Sequence, residues 1–118
     1  MPFAYTDPVG SVLRAALDGV ALRQRVTADN IANLDTPGYR ASSVDFESSL
    51  RAAITAGDPA AAAPAALLAT DTPVGANDNN VDLRKETLSA VQSQFQYQML
   101  TRAATDRGAW LKAEAGVA

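Results

Sequence analysis

Neither cysteine nor histidine occurs in these 118 residues. The first absence removes disulfides, thiolate nucleophiles and thiolate metal sites. The second removes the imidazole of a Ser-His mechanism, so Ser42, Ser43, Ser48 and Ser49 have no base of that kind to activate them. Large side chains are scarce as well. The hydrophobic fraction is 47%, but 25 of those residues are alanine and the aromatics amount to one Trp, three Phe and three Tyr, so little area is buried per residue. At this length the chain reads as one small domain of modest stability. Alanine-rich helices with few bulky groups suit close helix approach inside an assembly, and an ordinary small bundle fits the same composition.

Long apolar runs are also missing. The longest, residues 60–69, is interrupted by Pro64 and is too short to cross a bilayer. The start carries Asp7 and Pro8 and lacks a basic leader, so no cleaved signal is expected there and the chain by itself reads as cytosolic. The net charge of −3 comes mainly from the middle: residues 41–80 hold one Arg against five acids, whereas both ends are nearly balanced. With no basic patch interleaved with aromatics, neither nucleic acid nor an anionic membrane is expected as the main partner.

What is present is helical periodicity at both ends. Leu13, Leu17, Val20, Gln24, Thr27, Ile31 and Leu34 recur in alternating steps of four and three, which predicts a heptad seam on a helix over residues 8–35. Gln24 and Thr27 break its dryness, and a partly solvated helix fits the same pattern. Val12, Ala16, Leu22 and Val26 lie off the seam, more apolar surface than one partner covers. Asp82 is placed to cap a second helix over residues 81–111, with Leu88, Val91, Phe95, Met99 and Ala103 as its stripe and Gly108 weakening its last turns. The two helices are on the order of 40 Å and 43 Å long at about 1.5 Å per residue, close enough to lie side by side, and an antiparallel pair is expected. Such a pair brings Leu13 near Ala104, and Phe3 and Tyr5 near Trp110. Phe46, Leu50 and Ile54 predict a short amphipathic helix over residues 43–54. Residues 57–80, with Pro59, Pro64, Pro73, an alanine tract and the run Gly75-Ala76-Asn77-Asp78-Asn79-Asn80, predict a flexible connector. The expected fold is all-α: an antiparallel coiled-coil-like hairpin with a short helix and a flexible middle.

Chemistry finds little support. Asp78-x-Asn80-x-Asp82 has Leu83 where a calcium loop needs glycine and Ser89 where it needs glutamate, so an Asx turn leading into a helix cap accounts for it better. Asp45 with Glu47, and Asp82 with Glu86, stand at helix starts, where acids favour the macrodipole without any catalytic role. No glycine-rich phosphate loop occurs. The chain is read as a non-enzyme without cofactor, metal or small-molecule substrate. Gln92, Gln94, Gln96 and Gln98 spread over several faces of the last helix, as amides offered to more than one neighbour or as a soluble surface.

The most informative stretch is Ala28-Asp29-Asn30-Ile31-Ala32-Asn33-Leu34-Asp35-Thr36-Pro37-Gly38-Tyr39-Arg40. Pro37 disfavours helical geometry at Thr36 and presets the first corner of a turn whose second corner is Gly38, so the helix is expected to stop near Asp35. Asn30, Ala32, Asn33, Thr36, Pro37, Gly38 and Tyr39, in that order, resemble the N-terminal signature of the bacterial flagellar axial proteins. A second stretch, Asn79-Asn80-Val81-Asp82-Leu83-Arg84-Lys85-Glu86 followed by Gln94-Phe95-Gln96-Tyr97-Gln98, is similar to the C-terminal helix of the short proximal-rod members. It resembles the B-type more than the C-type.

The resemblance implies a structural subunit of the basal-body rod, stacked with other rod proteins and with itself between the membrane ring and the hook. It also implies export through the flagellar type III apparatus without a cleaved signal, and a periplasmic location. The signature turn is then the hinge between a packed inner helix and an outer segment. A cytosolic coiled-coil adaptor or secretion chaperone is the rival reading.

Overall fold

The computed structural model describes residues 7–116. Their order is α1 (Pro8–Ala32), β1 (Ser42–Asp45), α2 (Glu47–Thr55), a 3-10 turn (Pro59–Ala61), β2 (Ala66–Ala69) and α3 (Leu83–Ala115). Helix α1 starts on Pro8, where a missing N–H costs nothing. It gives way after Ala32 to tight turns: Leu34 N donates to Ile31 O at 3.1 Å and Thr36 N to Asn33 O at 3.1 Å. Tyr39 N then donates to Thr36 O at 3.2 Å across Pro37 and Gly38, and Gly38 has φ +77°, the type II pattern expected of a Pro-Gly corner. Asp82 caps α3 by accepting from Lys85 N at 3.2 Å. Gly108 does not end α3, which continues past Leu111 to Ala115.

The long helices pack antiparallel. Contacts at three levels fix the direction: Asp7 with Arg107, Thr27 with Ser89, and Asn30 with Glu86. Leu13 and Ala104 line one groove between the helices, as the expected pairing requires. Phe3 and Tyr5, expected beside Trp110, lie outside the described residues; Trp110 instead lies under the Arg107 guanidinium, 5.7 Å from the ring centre.

The expectation needs correction in three places. First, the fold is not purely helical, because β1 and β2 form an antiparallel pair with Ser42 opposite Ala69 and Asp45 opposite Ala66. The helix expected over residues 43–54 therefore begins only at Glu47. Second, the stretch expected as a flexible connector carries the 3-10 turn and β2, and its Asn79 and Asn80 are buried. Sequence composition missed this because the residues are held by side-chain amides and strand pairing rather than by apolar burial.

Third, the stripe Leu88, Val91, Phe95 and Met99 does not form the contact with α1; these side chains are 57 to 63% exposed. The face of α3 that meets α1 carries Glu86, Ser89, Ser93, Leu100 and Ala104. The physical reason lies on α1, whose buried positions are Ala16, Gly19, Val20, Thr27 and Asn30. Thr27 and Asn30 there bond Ser89 and Glu86 opposite, while Ser93 is small enough to be fully buried although its Oγ finds no hydrogen-bond partner among the described residues. Of the seam expected on α1, Val20 and Thr27 are buried, while Leu13, Leu17, Ile31 and Leu34 are half-buried.

The apolar core gathers Ala16, Val20, Val44 and Phe46, with Leu22, Val26, Leu50, Ala65 and Leu100 against them. It therefore sits where the β1–β2 pair and α2 meet α1. Gly19 makes this possible: a Cβ there would lie 2.2 Å from Phe46 Cγ.

Candidate assembly surface

Two features stand out, a buried polar clasp and an exposed apolar face. The clasp is centred on Asn30, which is 1% exposed and uses its amide fully. Its Nδ2 donates to Ser42 O at 2.7 Å and to Glu86 Oε1 at 2.9 Å, and its Oδ1 accepts from Ser42 N at 3.2 Å and from the Tyr39 hydroxyl at 3.3 Å. One side chain on α1 thus joins the signature turn, the edge of β1 and the start of α3.

The end of α1 is closed by residues that come from the far side of the chain. Asn79 Nδ2 donates to Asn33 O and to Thr36 O, each at 2.8 Å, while Asn79 Oδ1 accepts from Val81 N at 2.8 Å. Orphan carbonyls at a helix C-terminus need such partners. Asn33 holds its own turn, donating from Nδ2 to Asp29 O at 2.8 Å and accepting from Thr36 Oγ1 at 3.0 Å. Gly38 N donates to Asn77 O at 3.1 Å, Asn80 N to Tyr39 O at 3.3 Å, and Ala41 N to Asn80 Oδ1 at 2.6 Å. Arg40 pairs with Asp78 through its guanidinium, at 2.7 Å to Oδ1 and also to the Asp78 carbonyl.

The structure therefore brings together the two stretches that carry the family resemblance. Asn30, Asn33, Thr36, Gly38 and Tyr39 make direct bonds to one another or to residues 77–86, whereas Ala32 and Pro37 are exposed. Ser42, Asn79, Asn80 and Glu86 were missed as site residues. The paired amides just before the Asp82 cap were the available signal, since two adjacent Asn side chains at a helix entry are suited to bonding backbone.

Charge supports the same geometry. Arg23 sits over the Phe46 ring, 4.8 Å from its centre, and donates to both Glu47 carboxylate oxygens at 2.7 and 3.0 Å and to Val44 O at 2.6 Å. Burial pushes the Glu47 carboxyl up, but the Arg23 hydrogen bonds and the residue's own backbone N–H outweigh it and leave the group below its usual range. Asp45 is lowered by the Ser48 N–H and hydroxyl at the start of α2. Asp7 is lowered by Arg107, which donates to it at 3.0 and 2.5 Å.

The second feature is α3's outer face. Leu88, Val91, Phe95 and Met99 follow one another in steps of three and four, so they share a largely exposed side of the helix, with Met99 at its border, where it lines a groove with Ala16, Val20 and Phe46. Among the described residues no group of three or more His, Cys, Asp or Glu side chains is placed to hold a metal ion, and no helix is long and apolar enough to cross a membrane.

Comparison with known proteins gives this surface its setting. The sequence profile of the family described as "Flagella basal body rod protein" matches residues 12–40, which hold most of α1 and the whole signature turn. Flagellar basal body rod protein FlgB of Borreliella burgdorferi is 32% identical over 106 aligned positions, spanning 72% of this chain and 78% of that protein. The protein of the same name from Bacillus subtilis is 35% identical over 100 positions, spanning 75% and 78%. That from Escherichia coli is 32% identical over 116 positions, spanning 79% and 84%. With such identity held across most of both chains, and with the matched stretches forming one clasp, this chain belongs to the flagellar basal body rod protein family.

Proposed function

We propose that the outer face of α3, with Leu88, Val91, Phe95 and Met99, is the surface through which this structural rod subunit packs against neighbouring rod subunits. The observation that carries it is the inverted helix: small and polar groups face the chain's own partner helix, and large apolar groups face outward. In a lone soluble chain that arrangement leaves favourable burial unused, roughly 1 to 2 kcal/mol for each side chain at this exposure. A neighbouring helix supplies the missing cover.

The clasp serves this role by fixing how the chain leaves α1. Torque carried along a stack of subunits has to pass from one element to the next without slack, and bonds from residues 77–86 to the turn at residues 36–39 remove slack there. The same reading places the subunit in the proximal rod, near the junction with the membrane ring, after export through the flagellum's own type III apparatus. The turn acts as a braced corner between the inner helices and the hairpin.

Complementation tests the surface. A strain lacking the gene and supplied with the Val91→Asp, Phe95→Asp double variant is expected to stay non-motile and without hooks. The purified variant should keep the helicity of the parent chain, because both positions are exposed. Normal motility with the double variant would sink the assignment.

A further inference from the structure

The two edges of the β-hairpin are treated differently. Thr70 N donates to Ala41 O at 3.2 Å, which extends the register by one pair and turns the Ala41 C=O and the Thr70 N–H inward, the Ala41 N–H being taken by Asn80 Oδ1. Alternation along an antiparallel ladder then turns the peptide groups of Ser42 and Val44 outward from β1, and those of Leu67 and Ala69 outward from β2. The β1 edge is sealed by side chains. Asn30 takes both the N–H and the C=O of Ser42, as a neighbouring strand would, and Arg23 takes the C=O of Val44.

The β2 edge is open. No described residue bonds the outward peptide groups of Leu67 or Ala69, and every residue of β2 is exposed, Leu67 at 60% and Leu68 at 48%. Residues 65–70 contain no charge and no proline, the usual guards of a free edge. Pro64 and Asp71 limit its length but do not cover it.

We infer that this edge pairs with the same edge of a second copy of the chain, in a two-fold antiparallel junction centred on Leu68. The edge is self-complementary. Its outward groups lie two residues apart, so Leu67 of one copy faces Ala69 of the other, and Ala69 faces Leu67, each pair exchanging both of its N–H···O bonds. Leu68 then faces Leu68 of the second copy in the closer, non-hydrogen-bonded position, with Cα atoms about 4.5 Å apart. The uncharged strand sets no like charges against one another, and the two hairpins merge into one sheet of four strands, past the size at which a lone hairpin is marginal. A two-fold axis reverses one copy relative to the other. The pair therefore belongs to the unassembled chain and parts before subunits stack in one direction, so the inference stands apart from the assignment of α3's outer face.

Because the natural sequence has no cysteine, a single thiol reports the register. Full-length Leu68→Cys in a glutathione redox buffer is expected to form a disulfide-linked dimer about ten-fold or more faster than Ile54→Cys, since pairing raises the effective concentration of the facing thiols. Ile54 is also 48% exposed but lies off the strand, on α2. Adding Ala69→Pro removes an outward N–H without touching the inward ladder, and is expected to return the rate to that of Ile54→Cys with helicity unchanged. Equal rates for Leu68→Cys and Ile54→Cys would overturn the inference, as would a fast rate that Ala69→Pro leaves intact.

Discussion

Asn30 and Glu86 are 56 residues apart in sequence, yet the Asn30 amide donates to the Glu86 carboxylate at 2.9 Å within the buried contact between the terminal helices. The same amide holds Ser42 and Tyr39, so the geometry of the signature turn depends on where α3 docks.

Asn30→Ala leaves a buried carboxylate, a strand edge and a phenol short of partners. At about 1 to 3 kcal/mol for an unsatisfied buried group, a loss of about 3 kcal/mol is expected in urea unfolding. Asn30→Asp sets a second carboxylate against Glu86 and should be less stable than Asn30→Ala at pH 7. Wild-type stability in the alanine variant would show that the clasp is incidental.

Gly38 occupies the left-handed region at φ +77° while its N–H is held by Asn77 O. Valine there is expected to cost the free chain roughly 1 to 2 kcal/mol, because a Cβ crowds the following carbonyl in that conformation. Sequence alone favours a hinge, whose substitution would harm assembly more than the monomer. Bracing by residues 77–80 instead predicts that the monomer is weakened too, and amide exchange at Tyr39 and Ala41 should speed up in Gly38→Val.

Gly19→Ala tests the core from its tightest point. The added methyl would stand 2.2 Å from Phe46 Cγ, so the ring has to move off Val20 and Arg23. Overpacking of this kind costs typically about 1 to 3 kcal/mol. A thermal midpoint within error of wild type would mean that the hairpin shifts freely on α1.

Acid should loosen the chain at identifiable places. Asp7, Asp45 and Glu47 all titrate below their unfolded values when folded. Each therefore contributes stability that is present above its unfolded pKa, about 4, and is lost as pH falls through the lower folded value. Asp7→Asn should melt below wild type at pH 6, and the difference should vanish toward pH 2. A constant difference across that range would exclude the Asp7–Arg107 pair as its source.

Much was legible in the sequence because it is local. The start of α1 at Pro8, its stop before Pro37, the Pro-Gly corner and the Asp82 cap follow from backbone restrictions at single residues, whereas the far end of α3, expected near Leu111, runs on to Ala115. The ordered match of residues 30–39 to a known signature pointed to a rod subunit without any geometry. The antiparallel direction was an expectation that the Asp7–Arg107, Thr27–Ser89 and Asn30–Glu86 contacts bear out.

Only the tertiary structure decided which face of each helix is used. Periodicity identifies the apolar side of α3, and burial is the ordinary fate of such a side, yet here Phe95 and Met99 face out while Ser93 is fully buried. An amphipathic pattern names a face to be covered without naming what covers it. The order of residues 66–80 was hidden for a related reason. Asn79, Asn80 and the β1–β2 pair are fixed by hydrogen bonds to partners distant in sequence, and composition carries no record of those partners until the chain folds.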